Sequence, residues 1–180
     1  MNVHPPLPLI DEILEPWRTV LGDDFQGYRN HCIRMALFCF ALKANCTPEE
    51  KKKIQIAAAF HDIGIWIENT LDYIPPSVSP AMAYLTEHKL EPWSEEITLM
   101  ITEHHKLTPY QNGAFPLVEV FRQGDLVDFS LGWVRNGLKK SEVNSIRSSL
   151  PNAGFHTMLF KRGFQWLKKH PFNPAPMMKR

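Results

Sequence analysis

The side chains of this sequence that could do chemistry are His31, the pair His61-Asp62, the pair His104-His105, and Asp125. Imidazole and carboxylate together suit Mn, Fe, Co, Ni or Zn better than Ca, and Mg less well. What singles these residues out is their place relative to apolar side chains. Ile54 and Ala58 share a helical stripe with His61, and Ile97, Met100 and Ile101 share one with His104 and His105. Val118 and Phe121 lie on the stripe of Asp125, and Phe38 and Leu42 share a face with His31. Each polar group therefore stands one or two turns from core residues and is expected to point inward. One inward histidine alone reads as a core residue with its hydrogen bonds satisfied. Four helices each turning a His or Asp inward form a different pattern. A buried carboxylate is strongly unfavourable unless it is paired or metal-bound. Asp62 and Asp125 near imidazoles could share one divalent ion, and bundle cores are a recurrent place for such a site.

The elements that must position these residues are helices; strand signals are nearly absent. The spacing predicts a first amphipathic helix over 10–21, with Pro16 as a kink or a later start, and a break at Gly22-Asp23-Asp24. A long second helix runs over 26–44, apolar at Ile33, Ala36, Leu37, Phe40 and Ala41. Thr47-Pro48-Glu49-Glu50 then supplies an N-cap, a proline at the first helical position and a capping box. That third helix reaches about Asp62, with Gly64 near its end, and Pro75-Pro76 reads as part of a following loop. Ser79-Pro80 caps a fourth helix to about Lys89, and Ser94 opens a fifth that ends near His105. Lys106 to Gly113 lacks a helical period and reads as an exposed loop. A sixth helix covers about 116–131, two more fall near 141–149 and 155–169, and the proline-rich tail from Pro171 reads as disordered. The expectation is an all-α, irregular bundle of about seven or eight helices. Residues 1–24 pack a helix on the body, 25–134 form the core, and 135–170 complete the same domain.

At 180 residues the chain suits one domain with a real core. Its composition is that of an ordinary globular protein, and no apolar run approaches the length of a membrane span. The first residues, Met-Asn-Val-His-Pro-Pro, lack a basic stretch followed by an apolar one, so the cytoplasm is the expected location. Cys32, Cys39 and Cys46 are odd in number, seven apart on one expected helix, and form no Cys-x-x-Cys pair. They read as buried free thiols rather than a disulfide framework or zinc ribbon. A net charge of +1 hides an asymmetry: residues 1–134 carry 10 Lys/Arg against 18 Asp/Glu, whereas 135–180 carry 10 against Glu142 alone. Such an end could meet an anionic ligand, nucleic acid or a membrane, or dock on the acidic body. In the last helix Phe155, Leu159, Phe164, Trp166 and Leu167 alternate with Lys161, Arg162, Lys168 and Lys169. Packing on the body with a solvated basic face is the preferred reading there, ahead of a membrane or nucleic acid.

The order of the chemical residues resembles the HD-domain superfamily of metal-dependent phosphohydrolases. The match lies in Tyr28-Arg29-Asn30-His31-Cys32-Ile33-Arg34, Ala58-Ala59-Phe60-His61-Asp62-Ile63-Gly64 and Arg122-Gln123-Gly124-Asp125-Leu126-Val127-Asp128, and it covers about residues 25–131. The resemblance implies an all-α bundle with one divalent metal ion held by His31, His61, Asp62 and Asp125. Asp125 and Asp128 are both open for the last ligand, and family spacing selects Asp125, with Asp128 supporting. Two-metal relatives use an adjacent histidine pair such as His104-His105, and another histidine in the preceding helix. This chain has Ser77-Val78-Ser79-Pro80 there, and His88 falls about two turns too late, which favours one metal over two.

By the same resemblance the expected reaction is hydrolysis of a phosphate ester of a nucleotide or another small phosphorylated metabolite. Asp62 orients the attacking water, and His104 or Glu103 protonates the leaving oxygen. Many relatives have Lys after His-Asp-Ile-Gly, where this chain has Ile65, so anion contacts must come from elsewhere. Arg34, Arg122 and His105 are the candidates, with Lys106 and Tyr110 in the loop after the histidine pair weaker ones. Other chemistries on the same scaffold, an oxygenase or hydratase, are the alternative, and a non-catalytic sensor or binding module is a third. Oligomeric state is left open, and nucleic acid is a disfavoured partner.

Overall fold

The computed structural model describes residues 6–178, and no strand occurs among them. The order is α1 (Pro8–Leu14), α2 (Arg18–Leu21), α3 (Phe25–Leu42), α4 (Pro48–Phe60), α5 (Gly64–Ile67), α6 (Ile74–Glu87), α7 (Ser94–Glu103), α8 (Pro116–Phe129), α9 (Lys140–Ser149) and α10 (Phe155–Lys169). Seven of these have ten residues or more, in line with an all-α bundle of seven or eight helices. None is long and apolar enough to cross a membrane.

α3 is the axis of the bundle. It is buried on nearly every side, including Tyr28, His31, Met35 and Phe38, so its amphipathic contrast is weak, as a central helix requires. Its most extensive packing is on α8 and α4, and α7 closes the far side against α4 and α8. Gly124 on α8 permits a close approach to α3: a Cβ there would run into the Cys39 thiol. The N-terminus of α4 forms as its residues dictate. Glu50 N–H donates to the Thr47 hydroxyl at 3.2 Å and Thr47 N–H donates to the Glu50 carboxylate at 2.8 Å.

Several boundaries differ from the periodic reading. Pro16 turns the first helix into α1, a 3-10 turn (Glu15–Trp17) and α2, because a mid-helix proline removes an N–H and clashes with the preceding turn. α3 stops at Leu42, so Cys46 lies in the turn beyond it; Cys32 and Cys39 are buried on the helix and all three thiols are free. α6 starts at Ile74, with Pro75-Pro76 inside its first turn rather than in a loop, since first-turn N–H groups have no intrahelical partner to lose. Pro80 sits inside the helix rather than at its start. Residues 171–178 are folded back rather than loose: Trp166 Nε1–H donates to the Asn173 carbonyl at 2.8 Å, and Pro176 is buried in a 3-10 turn. The rest of the expected disordered tail, Lys179 and Arg180, lies outside the described residues, as do residues 1–5.

The basic end is tied to α3 through the turn between α9 and α10. Asn30 donates to the Pro151 carbonyl at 2.8 Å, and Arg34 donates to the carbonyls of Leu150 and Pro151. α10 lays Phe155 and Met158 on the body, with Leu159 and Trp166 half-buried. Phe160, Phe164 and Leu167 turn outward instead, so only part of the apolar set in this helix packs on the body.

Candidate metal centre

Five side chains from four helices converge between α3, α4, α7 and α8. His31 comes from the middle of α3, where its ring stacks on Phe155 with centroids 4.2 Å apart. Its Nδ1–H donates to Asp128 Oδ2 at 2.7 Å. His61 is the first residue beyond α4 and its Nδ1–H donates to the Ala58 carbonyl at 2.9 Å. His104 is the first residue beyond α7, and its Nδ1–H donates to the Ile101 carbonyl at 2.7 Å. His61 and His104 thus use one device. Each occupies a helix C-cap and satisfies a last-turn carbonyl that the helix leaves without a partner. The hydrogen bond also fixes the tautomer, so Nε2 carries a lone pair. Asp62 is held by its backbone: Tyr28 donates its hydroxyl to the Ala59 carbonyl at 2.9 Å and accepts Asp62 N–H at 3.3 Å.

All three Nε2 atoms consequently point lone pairs into one small volume. His31 Nε2 and His61 Nε2 are 3.1 Å apart. Around them Asp62 Oδ2 lies 3.3 Å from His61 Nε2 and 3.8 Å from His31 Nε2, and Asp125 Oδ1 lies 3.6 and 3.9 Å from His31 and His61. His104 Nε2 is 3.4 Å from Asp62 Oδ1, and both atoms are buried without a hydrogen-bond partner. A nest of acceptors with no donor among them is electrostatically unfavourable unless a cation sits in it.

Protons answer this demand only in part, at Asp125 rather than at His31. Burial drives the His31 imidazole down to about 4, against the upward pull of Asp128. Asp125 is pushed up to about 7, chiefly by burial, against the pull of His104 and with Asp62 and Asp128 adding to the rise. Asp128, three residues away on the same helix, goes the other way. Burial raises it, but hydrogen bonds from Arg34 and His31 outweigh that and hold the carboxyl well below its ordinary range. Asp128 is therefore a carboxylate satisfied by Arg34 and His31 that braces the His31 ring, whereas Asp125 faces the imidazoles of His31 and His61 with no guanidinium beside it among the described residues. The donor atoms of His31, His61 and Asp125 lie within 4.8 Å of one another, as do those of His61, Asp62 and His104 and those of His104, His105 and Asp125. Three imidazoles and two carboxylates fit a first-row divalent metal.

The HD domain model matches residues 28–142. The chain belongs to the HD-domain family. No curated protein and no solved structure matches it. The matched span holds all five converging residues, and the two helices α9 and α10 lie largely beyond it.

The remaining candidates of this HD domain are placed less centrally. Arg34 is buried, and its guanidinium grips both oxygens of Asp128 at 2.6 and 2.7 Å as well as two carbonyls. Its contacts in this structure are thus internal, with Asp128 and the two carbonyls. Arg122 is similarly engaged, donating to both oxygens of Glu119 at 2.6 and 2.8 Å and to the Lys106 carbonyl at 3.2 Å. It holds the loop after α7, whose Tyr110 N–H donates to the same Glu119 carboxylate. Glu103 pairs with Lys106 at 3.3 Å, and no hydrogen bond or ion pair joins either to the imidazoles. His105 is half-buried beside His104, with its Nε2 at the Tyr73 hydroxyl. Tyr73 is a contact that spacing does not announce, since it precedes Pro75-Pro76 in a stretch that reads as loop. Ser77, in the Ser77-Val78-Ser79-Pro80 stretch, accepts Gly64 N–H at 2.9 Å.

Proposed function

We propose that this HD domain hydrolyses a phosphate ester of a nucleotide or another small phosphorylated metabolite, with one divalent ion held by His31, His61, Asp62 and Asp125. The observation that carries the reading is the nest of acceptors: three anchored imidazoles aimed at two buried carboxylates, with Asp62 Oδ1 and His104 Nε2 lacking any partner. A bound divalent ion supplies a water of lowered pKa and positive charge beside the phosphoryl oxygens. The side chains do the rest. Asp62, fixed by Tyr28 through its backbone, uses Oδ1 to accept a hydrogen bond from the attacking water and orient it. His104, whose Nδ1–H is already committed, has an Nε2 lone pair that can take up a proton and then pass it to the leaving oxygen. This geometry favours His104 over Glu103 for that role, because Glu103 faces Lys106. His105 and Lys106 are left as the groups that meet the substrate oxyanion, with Arg122 shaping their loop.

A second reading rests on the third donor group, His104, His105 and Asp125, which overlaps the first and could hold a second ion. Two ions would suit an HD-type oxygenase or hydratase. Metal content by mass spectrometry, on protein purified without chelator or His-tag beside His61→Ala, separates the two. About one equivalent that disappears in the variant, with turnover in a phosphate-ester screen, supports hydrolysis. Two equivalents of iron support the oxygenase. No metal in either protein, even after addition of Mn or Mg, points to a binding module.

A further inference from the structure

α10 has an inner face packed on the body and an outer face open to solvent. On the inner side Phe155 lies on His31, and Arg162 reaches Asn69 Oδ1 at 2.7 Å. On the outer side Phe160, Phe164 and Leu167 are 77%, 60% and 44% exposed. Their spacing is i, i+4, i+7, which stacks them as one apolar stripe. Lys161 and Lys168, themselves seven apart and exposed, form a second stripe, with Lys169 next in sequence. Exposing three large apolar side chains in a row is unfavourable in water, and a basic flank beside them narrows what would cover them.

We propose that the outer face of α10 docks on a membrane surface containing anionic phospholipid, with Phe160, Phe164 and Leu167 entering the interface and Lys161 and Lys168 meeting the headgroup phosphates. An amphipathic helix with aromatic and leucine residues on one side and lysines beside them is the form that lies in a lipid interface. Lys168 Nζ lies over the Phe164 ring, 4.4 Å from its centroid, which sets a positive charge directly beside the apolar stripe. The same contact argues against a base-stacking surface for single-stranded nucleic acid, because the ammonium already covers a face of that ring. An antiparallel pairing with a second copy of this chain fits less well, since it brings the two lysine stripes to the same side of the seam. The surplus of positive charge after residue 134 and the negative balance before it would also orient the molecule with this end towards an anionic sheet.

The test is co-sedimentation of the full chain with vesicles of phosphatidylcholine, with and without 30 mol% phosphatidylglycerol (about that fraction of negative surface charge). Binding to the mixed vesicles that weakens with added salt, and little binding to the neutral ones, is expected. Phe160→Ser with Phe164→Ser should remove most of it. Lys161→Ala with Lys168→Ala should weaken it by about fivefold for each lysine and flatten the salt dependence. These positions are solvent-facing, so unchanged circular dichroism and melting establish that each variant is folded. Absence of binding to mixed vesicles at low salt overturns the proposal, as does binding that survives both double variants. A dimer in light scattering that Phe160→Ser with Phe164→Ser splits, without vesicle binding by the parent, would assign the face to a second copy. Capture of an unstructured RNA oligomer in place of vesicles would assign it to nucleic acid. Either result overturns the lipid assignment.

Discussion

The centre between α3, α4, α7 and α8 and the outer face of α10 invert the usual distribution of side chains in opposite ways. In the first, five polar groups that water would solvate well are buried together. In the second, three large apolar groups that a core would accept are left outside. The surrounding structure treats the two very differently. The buried groups are braced from behind, with His31 on Asp128, His61 on Ala58 and His104 on Ile101, so that their free atoms converge. The exposed groups have no such bracing, and their helix is anchored only along its other side. Preorganised convergence is what a small ion requires, because ligand atoms must sit within a few tenths of an ångström. A lipid surface requires only area and charge. The contrast between the two regions is thus a contrast in how much precision each ligand demands.

The largest effect that could break this contrast is at the centre. His61→Ala and Asp62→Ala should each lose metal and phosphate-ester hydrolysis essentially completely while far-ultraviolet circular dichroism retains the helical signal. Vesicle binding by these variants should be unchanged, because α10 does not depend on the ion. Hydrolysis retained in both would remove the proposed mechanism.

Arg34 joins the two regions, since it clamps Asp128 on α8 and the Leu150-Pro151 turn that leads into α10. Arg34→Leu leaves a buried carboxylate without its partner and should lower unfolding stability by about 3–5 kcal/mol in a denaturant titration. A loss below about 1 kcal/mol would mean that solvent reaches Asp128 easily, against its burial.

Asp125 and Asp128 sharpen the comparison within a single helix. Asp125 is raised from 3.8 to about 7, so the native state holds its proton more tightly than the unfolded chain does. In metal-free protein this contribution is present at low pH and is lost as pH rises from about 4 through about 7. Asp128 is lowered, so its contribution is present above the unfolded value and lost as pH falls. Asp125→Asn should therefore stabilise the metal-free protein at pH 8, by up to roughly 4 kcal/mol before relaxation, and Asp128→Asn should destabilise it. Thermal unfolding at pH 5 and pH 8 in the presence of chelator measures both. The same sign in the two variants would mean that the two carboxylates share one environment. The proton on Asp125 also predicts that metal affinity rises with pH through this range, because binding must displace it.

How much of this was legible from the residues follows from the range of each interaction. The capping box at Thr47 and the inward faces of His61 and His104 are set within one or two turns, so spacing reveals them. His31, His61, Asp62 and Asp125 are grouped in sequence only through their order, which is what the family resemblance rests on. The fate of Arg34 is invisible at that level, since its carboxylate partner is 94 residues away. The start of α6 is hidden because prolines usually mark loops, yet two in a helix's first turn remove no intrahelical bond. On α10 the pattern shows an amphipathic helix, but alternation of Phe, Leu and Lys does not say which apolar residues meet the body. Phe155 and Phe164 read alike in sequence and lie on opposite sides of the helix.

The smallest expected effect tests the rim between the two regions. Lys106 follows the histidine pair, is part-exposed, and pairs with Glu103 at 3.3 Å rather than with the centre. Its backbone carbonyl is held by Arg122, so the loop position does not depend on the ammonium. Lys106→Ala should therefore leave metal content and stability unaltered and raise KM for a phosphate ester by about three- to tenfold, as expected for one partly solvated charge. Glu103→Gln should do the reverse or nothing, since it frees the ammonium from its acidic neighbour. If Lys106→Ala instead loses metal in proportion to activity, the loop supports the centre directly, and the oxyanion contact must be sought at His105 alone.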